Sequence, residues 1–221
     1  MQSDRLNQPS AQKRKAGKSV SQSRSTFTEE TPIYQLKITL KNIRPPIWRR
    51  VLVPGHFTLR QLYVVIQVAM DGWGGGHLHE FEINGKHYGE QIGPGEDWGV
   101  PIVDETQVKL ADVVRGEKTK FLYIYDFGDD WEHEILVEKF LPIDAEVTYP
   151  MCLKGKQSCP PEDCGGPWGY AELLGIWADP THPEHEEQCE WLVEGFDPED
   201  FDIEGVNTSL ARIGAGQSNG C

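Results

Sequence analysis

The sequence predicts an α+β protein, with a mostly antiparallel sheet built from β-hairpins, one main helix packed against it, and a short helical C-terminal segment. Apolar and polar residues alternate with period two along several short runs, which is the pattern of half-buried strands. A single longer run, residues 59–70, repeats its apolar residues at helical spacing. Together these patterns favour one sheet and one helix that covers it.

Two strands are predicted at the start of the ordered chain. Residues 33–40 alternate apolar and polar side chains, and residues 47–53 are predicted to form the second strand after Pro45-Pro46, which cannot continue a ladder. Arg49 and Arg50 must point to opposite faces of the second strand. One of them is a candidate partner for an acidic group of the hairpin at residues 121–137, and the alternative is that it is a solvated strand arginine.

The main helix is predicted to begin at Thr58 and to end at Asp71-Gly72. Thr58 and Gln61 have the spacing of a capping box, in which each side chain binds a free amide of the other, and the glycine is a typical helix end. The glycine patch, residues 73–76, follows. It lacks the lysine and hydroxyl of a phosphate-binding loop.

Residues 77–83 are predicted to form a third strand. Asn84-Gly85 is predicted to be the turn that connects it to residues 86–89 in a hairpin. His77 and His79 share one face of this strand, so they are candidates for binding a metal, an anion or a carboxylate. The alternative is that one of them packs in the core. Residues 90–106 are predicted as a loop, and residues 110–114 as a short helix.

A second hairpin, from Phe121 to Val137, contains most of the candidate binding residues. Phe121, Tyr123, Tyr125 and Phe127 are predicted on one face of the first strand, and Trp131, His133, Ile135 and Val137 on one face of the second. Gly128-Asp129-Asp130 is predicted to form the turn, with glycine supplying the positive φ. Asp126 is expected to be partly buried and to accept hydrogen bonds from the turn amides or from an arginine. The candidate binding residues are His77, His79, Asp126, Asp129, Asp130, Trp131 and His133.

The cysteine loop, residues 149–170, is rich in proline and glycine and is predicted to be irregular. Cys152, Cys159 and Cys164 are candidate ligands of a structural Zn²⁺ that would hold this loop together. Cys189, His182 or His185 would supply the fourth ligand. Against this, the loop has no C-x2-C pair, and the alternative is that the three cysteines are small buried apolar residues.

The chain is predicted to contain a disordered basic tail (1–30), a single α+β domain (31–205) and a C-terminal tail (206–221). Within the domain, residues 171–177 and 183–193 are expected to be short helices.

Residues 1–26 have a net charge of +5, whereas the whole chain has a net charge of −14. Nucleic acid is therefore expected to contact this tail only. No run of 18 apolar residues and no secretory signal is found, and the expected location is cytoplasmic, with reduced thiols and no membrane partner.

Five stretches taken together resemble the plasmid pRiA4b ORF-3-like family. They are YQLKITLKNIRPPIWRRVLVP (34–54), TLRQLYVVIQVAMDGW (58–73), HLHEF (77–81), YDFGDDWEH (125–133) and YPMCLKGKQSCPPEDCGGPWGY (149–170). The resemblance covers roughly residues 31–205. It implies an α+β domain found in bacteria and archaea, often as a passenger of plasmids and insertion elements, and it names no reaction.

Three functions remain open on the sequence. The first is a binding or interaction module that takes a small molecule or a protein at the polar hairpin tip, where Trp73 and Trp131 would be exposed. The second is a metal-dependent hydrolase, with the carboxylates and histidines of the tip around a divalent ion. The third is a nucleic-acid accessory protein of a mobile element, which would bind through its basic tail. The sequence contains no kinase, serine-hydrolase or H-E-x-x-H signature.

Overall fold

The computed structural model describes residues 31–70, 73–91, 100–192 and 196–217. These residues form an α+β fold around one sheet of eight strands. The strands are β1 (Ile33–Leu40), β2 (Trp48–Pro54), β3 (His79–Ile83), β4 (Lys86–Gly89), β5 (Ile102–Asp104), β6 (Lys120–Tyr125), β7 (Trp131–Leu141) and β8 (Met151–Lys156). The helices are α1 (Leu59–Met70), α2 (Leu110–Val113), α3 (Gly166–Ala178), α4 (His185–Trp191) and α5 (Ile203–Gln217), with a 3₁₀ turn at Glu105–Gln107. The predicted fold class is confirmed.

The spatial order of the strands is β5-β4-β3-β6-β7-β1-β2-β8. Neighbouring strands are antiparallel except for the parallel pair of β4 and β5. The predicted second hairpin is present as β6 and β7 at the centre of the sheet, and Tyr125 pairs with Trp131 directly before the turn. The polar tip of this hairpin is therefore carried by the two innermost strands.

Helix α1 lies on one face of the sheet through its apolar stripe. The predicted capping box is present, because the Thr58 amide donates to Gln61 Oε1 (2.7 Å) and the Gln61 amide donates to Thr58 Oγ1 (3.2 Å). Gln67 of α1 donates to the hydroxyl of Tyr123 on β6 (2.8 Å). The helix thus has a defined start and a polar as well as an apolar attachment to the sheet.

The two arginines of β2 point to opposite faces, as predicted, and make different contacts. Arg50 binds both carboxylate oxygens of Glu138 on β7 (2.6 and 2.7 Å), so the expected acidic partner in the second hairpin is confirmed. The pKa of the Glu138 carboxyl is lowered, chiefly by the hydrogen bond from Arg50.

Arg49 is fully buried and joins several elements. Its guanidinium donates to the carbonyls of Ala69 (2.8 Å) and Met70 (3.2 Å) at the end of α1. It also donates to the carbonyl of Lys156 at the end of β8 (2.9 Å), and it lies 3.8 Å from the ring centre of Phe201. The end of α1, strands β2 and β8 and the segment before α5 therefore meet at one side chain.

Several elements differ from the sequence-based expectation. The predicted loop 90–106 contains β5 and part of the 3₁₀ turn, and the cysteine loop contains β8 and the first turns of α3. The predicted boundary at residue 205 falls inside α5, whose Val206 and Leu210 are buried in the core. Residues 206–217 are therefore part of the fold, because these two apolar side chains pack against it.

Some predictions fall outside the described residues. They concern the basic tail (1–30) and the helix end at Asp71-Gly72. In the part of the chain that the structure describes, no helix combines the length and the apolar character needed to cross a membrane.

We predict that Arg49→Met lowers the free energy of unfolding by roughly 3–5 kcal/mol, because several buried carbonyls lose their donor. Urea unfolding followed by circular dichroism measures this. Arg50→Met is the matched control on the same strand, and it should cost about 1 kcal/mol or less, since its ion pair is partly exposed. Equal losses for the two variants would contradict the role assigned to Arg49.

Candidate functional site

The hairpin tip, residues 126–130, is shaped by two aspartates in the left-handed region. Asp126 has φ 56° and Asp130 has φ 55°, so aspartate and not Gly128 supplies the positive φ that was predicted for glycine. The amide of Asp126 donates to the carbonyl of Leu78 (2.9 Å), and that of Asp130 donates to the carbonyl of Asp126 (2.6 Å). The tip is therefore a closed turn, and it is hydrogen-bonded to Leu78, the residue directly before β3.

Asp126 is 9% exposed and its carboxylate is held from within the tip. Oδ1 accepts from the amides of Gly128 (2.8 Å) and Asp129 (3.4 Å), which confirms the predicted hydrogen bonds. Phe127 was predicted on the same face as Tyr123 and Tyr125, which are buried, but it is 41% exposed. The reason is that β6 ends at Tyr125 and the alternation stops at the turn.

His77 lies between two carboxylates at the tip. Its Nδ1 is 3.3 Å from Asp126 Oδ2, and its Nε2 is 3.8 Å from Asp163 Oδ1. One ligand atom from each of the three residues lies within 4.8 Å of the other two. We call His77, Asp126 and Asp163 the tip triad. Asp163 was not among the predicted site residues.

The cysteine loop reaches the tip through specific contacts. Glu162 Oε1 accepts from the hydroxyl of Tyr125 (2.6 Å) and from the amide of Gly74 in the glycine patch (3.1 Å). Gly166 has φ 68°, and a Cβ at this position would be 2.3 Å from the carbonyl oxygen of Asp129. The backbone of the loop therefore packs so closely against the tip that only glycine fits at position 166.

The electrostatic environment of the site is acidic. Asp129 Oδ2 is buried and has no hydrogen-bond partner, which is costly for a carboxylate. The pKa of the Tyr125 hydroxyl is raised by burial and by the hydrogen bond to Glu162. The pKa of the Cys164 thiol is raised to about 12 by burial and by the nearby charge of Asp129. Cys164 therefore remains a protonated thiol beside the tip.

His79 lies away from the tip. Its Nε2 is 2.9 Å from Glu105 Oε2, and both side chains are buried. The ring stacks on Tyr63 of α1 with 3.8 Å between the ring centres. Of the two histidines predicted beside the glycine patch, His77 joins the tip residues and His79 forms a buried pair with the 3₁₀ turn.

The aromatic candidates of the hairpin are core residues. Trp131 is 1% exposed and Trp73 is 7% exposed, so the predicted recognition surface of exposed tryptophans is wrong. Trp73 packs against Tyr125, Trp131 and His133, with ring centres 5.1, 5.6 and 5.2 Å away. These buried rings, which include Trp73 of the glycine patch itself, form the apolar base of the site.

His133 is fully buried within this aromatic group. Neither ring nitrogen makes a hydrogen bond of good geometry. Burial lowers the pKa of His133 to about 4, although the nearby backbone of Tyr123 and Trp131 offsets part of the effect. The side chain is therefore neutral at physiological pH and lies beneath the tip instead of within it.

The three cysteines predicted as zinc ligands do not converge. In the described ranges, the tip triad is the group of three or more ligand atoms placed closely enough for one ion. Cys152 lies on β8 and is buried in the core, where the backbone pairing of β8 fixes it, and Cys159 is also buried. Cys189 has His185 as its neighbour, with Sγ 3.7 Å from Nε2. This geometry gives the Cys152–Cys159–Cys164 zinc site no support.

The fold and site define an α+β protein with a polar, acidic tip on the central hairpin of its sheet. Residues 32–205 match the family model described as plasmid pRiA4b ORF-3-like protein, and the chain belongs to this family. The uncharacterized protein y4hQ of Sinorhizobium fredii is 40% identical over 178 residues, covering 80% of this chain and 87% of that protein. A crystal structure of a protein of unknown function from Methanosarcina mazei Go1 is similar, with a TM-score of 0.71 and 41% identity over 78% of this chain and 96% of that one.

We predict that the protein becomes less stable as the pH is lowered from about 6.5 to 4, and that His133 is the cause. Its pKa is near 6.5 in the unfolded chain and about 4 when folded. The folded state binds fewer protons in this window, so the stabilisation is complete above about pH 6.5 and is lost as the pH falls towards 4. The difference corresponds to roughly 3 kcal/mol. In His133→Phe the free energy of unfolding, measured with urea across this range, should depend less on pH.

The control for that measurement is Val137→Ala on the same strand, which removes buried apolar atoms and no titratable group. Its pH dependence should match that of the unaltered protein. If His133→Phe keeps the full pH dependence, the assignment to His133 is wrong.

We predict that Gly166→Ala destabilises the protein and loosens the cysteine loop, because the added Cβ meets backbone and the residue is left-handed. Gly175→Ala is the matched control in the same helix. It has open space around its Cβ and should raise stability by about 0.5–1 kcal/mol. Thermal unfolding gives the comparison, and a melting temperature unchanged by Gly166→Ala would contradict the close contact with the tip.

Proposed function

We propose that this protein is a binding module whose hairpin tip takes a small, positively charged ligand. The observation that carries the proposal is the tip triad, in which three segments far apart in sequence bring one imidazole and two carboxylates within 4.8 Å. His77 follows the glycine patch, Asp126 lies in the central hairpin and Asp163 lies in the cysteine loop. Such convergence requires a fixed fold and does not arise from a local charge run.

The charge of the site favours a cationic ligand. The tip and the adjoining cysteine loop present carboxylates at Asp126, Asp129, Asp130, Glu162 and Asp163. Like charges at close range raise the free energy of the unliganded site, and a cation relieves this repulsion.

The site is also preorganised. Asp126 is held by two tip amides, and Glu162, the neighbour of Asp163, is held by Tyr125 and by the glycine patch. Side chains that are already ordered lose little conformational entropy when a ligand binds. This supports a binding role for the tip over that of a solvated acidic turn.

A metal-dependent hydrolase is the second candidate. It is favoured by the combination of imidazole and carboxylate donors at one point, a set that suits metal-assisted hydrolysis. His79 and His133 drop out of the predicted catalytic set, since one is paired with Glu105 and the other is buried. The nucleic-acid role and the mobile-element setting stay predictions, because the basic tail lies outside the described residues.

We predict that cations stabilise the protein through the tip. A panel containing spermidine, a lysine-rich tripeptide, Mn²⁺ and Zn²⁺ should include members that raise the melting temperature. At a concentration 100 times Kd the expected stabilisation is about 2.7 kcal/mol. Asp163→Asn and His77→Ala should lose the effect.

The matched control is Glu190→Gln, which removes one carboxylate from the exposed surface of α4. It should respond like the unaltered protein. An Asp163→Asn variant that responds as strongly as the unaltered protein would refute binding at the tip. A screen of phosphoesters and peptides in the presence of Mn²⁺ or Zn²⁺ tests the hydrolase, and turnover that survives in both tip variants would contradict it.

A further inference from the structure

We infer that the ligand of the tip is a divalent transition-metal ion, Zn²⁺ or Mn²⁺, bound by His77, Asp126 and Asp163. This inference rests on the proposed function of the tip as a cation site and names the cation. It also replaces the predicted cysteine ligands with a different set of donors. The argument depends on how His77 is placed between its two carboxylates.

A neutral imidazole has one N–H donor and one nitrogen with a lone pair. At His77, both nitrogens face carboxylates, with Nδ1 towards Asp126 and Nε2 towards Asp163. The nitrogen that carries the lone pair can bind an ion beside the carboxylate that it faces, while the other nitrogen donates its N–H to the second carboxylate. The second carboxylate thereby fixes the ring, and it lies close enough to the other two residues to share the ion.

The distances fit shared coordination. Zn²⁺ binds histidine nitrogen and carboxylate oxygen at about 2.0–2.2 Å, so two donors of one ion lie at most about 4.4 Å apart. The separations of 3.3 and 3.8 Å at His77 involve different ring nitrogens, of which one ion takes only one. One ligand atom from each of the three residues nevertheless lies within 4.8 Å of the other two. Small side-chain rotations, chiefly of the exposed Asp163, are sufficient to complete the site.

The surroundings orient the donors in the way that outer contacts orient metal ligands. Asp126 Oδ1 is occupied by the tip amides, which leaves Oδ2 directed towards His77. The edge of the His77 ring meets the ring of Tyr125 at 89°, and the Tyr125 hydroxyl binds Glu162. The contacts that attach the cysteine loop to the tip therefore also place Asp163.

The donor set selects the class of metal. Imidazole suits Zn²⁺ and its neighbours in the first transition row, whereas carboxylates suit Mn²⁺ as well. Ca²⁺ takes six to eight oxygen ligands, and Mg²⁺ keeps most of its waters, so a compact site with a histidine favours neither. Three protein donors leave at least one coordination position open to water or to a ligand.

A second zinc-binding group must be separated from the tip. Cys189 and His185 are neighbours on α4 and supply a thiol and an imidazole to Zn²⁺. Titrations are therefore made with the full chain and with Cys189→Ser. Mn²⁺ provides an independent probe, because it favours oxygen ligands over thiolates.

The test measures Zn²⁺ affinity by calorimetry and Mn²⁺ affinity by electron paramagnetic resonance. In the Cys189→Ser chain we expect one ion per chain, with His77 ring signals shifted by Zn²⁺ in nuclear magnetic resonance spectra. His77→Ala and Asp163→Asn should each weaken binding by at least about tenfold. Glu190→Gln, an equal change of charge on the exposed surface of α4, and His56→Ala, the loss of an exposed histidine, should keep the affinity.

Three results would overturn the assignment of a metal ion to the tip. Binding of Zn²⁺ or Mn²⁺ that is unchanged in His77→Ala and Asp163→Asn places the ion elsewhere. If neither metal binds the tip but spermidine or the tripeptide still stabilises the protein through Asp163, the metal is wrong and the proposed cation site stands. If no cation of either kind depends on the tip, both proposals fail.

Discussion

The buried guanidinium of Arg49 is the constraint on which the site depends. A guanidinium remains charged inside a protein, so each of its donors must find an acceptor when it is buried. Arg49 finds acceptors at the last residues of α1 and at the end of β8. The glycine patch begins just after the first of these points, and the cysteine loop continues from the second. Two of the three segments that form the site are therefore anchored by one side chain, and the third is the tip of the hairpin at the centre of the sheet.

Above these anchors, the site separates an apolar base from a polar rim. The base consists of the packed rings of Trp73, Tyr125, Trp131 and His133. The rim consists of the tip triad and Glu162. Tyr125 belongs to both, because its ring packs in the base while its hydroxyl binds Glu162. Tyr125 therefore helps to hold the polar groups in place, because the cysteine loop can move only if the hydrogen bond between Glu162 and this buried tyrosine breaks.

The parts of this structure that depend on local pattern could be predicted from the sequence, and the parts that depend on distant contacts could not. Alternation predicts the central hairpin, and the spacing of Thr58 and Gln61 predicts the start of α1. Strand β8 does not alternate cleanly, because Lys154, Gly155 and Lys156 interrupt it, and its pairing with β2 decides its conformation. His77 and His79 share a strand face, yet only three-dimensional contacts with Asp126 and Glu105 separate their roles. Asp163 joins the site because the cysteine loop is attached to the tip, which no local pattern indicates.

The tip combines features that lower the stability of the unliganded fold. Two aspartates adopt left-handed backbone, several carboxylates lie close together, and Asp129 Oδ2 is buried without a hydrogen-bond partner. Local rules of this kind are broken most often where a site is built for binding, because the ligand supplies what the fold lacks. A cation at the tip triad would bind Asp163 and thereby add a third attachment between the cysteine loop and the tip, beside the contacts of Glu162 and Gly166. Occupancy of the site would then be coupled to the order of this loop, since a ligand that binds only the closed arrangement stabilises it by mass action.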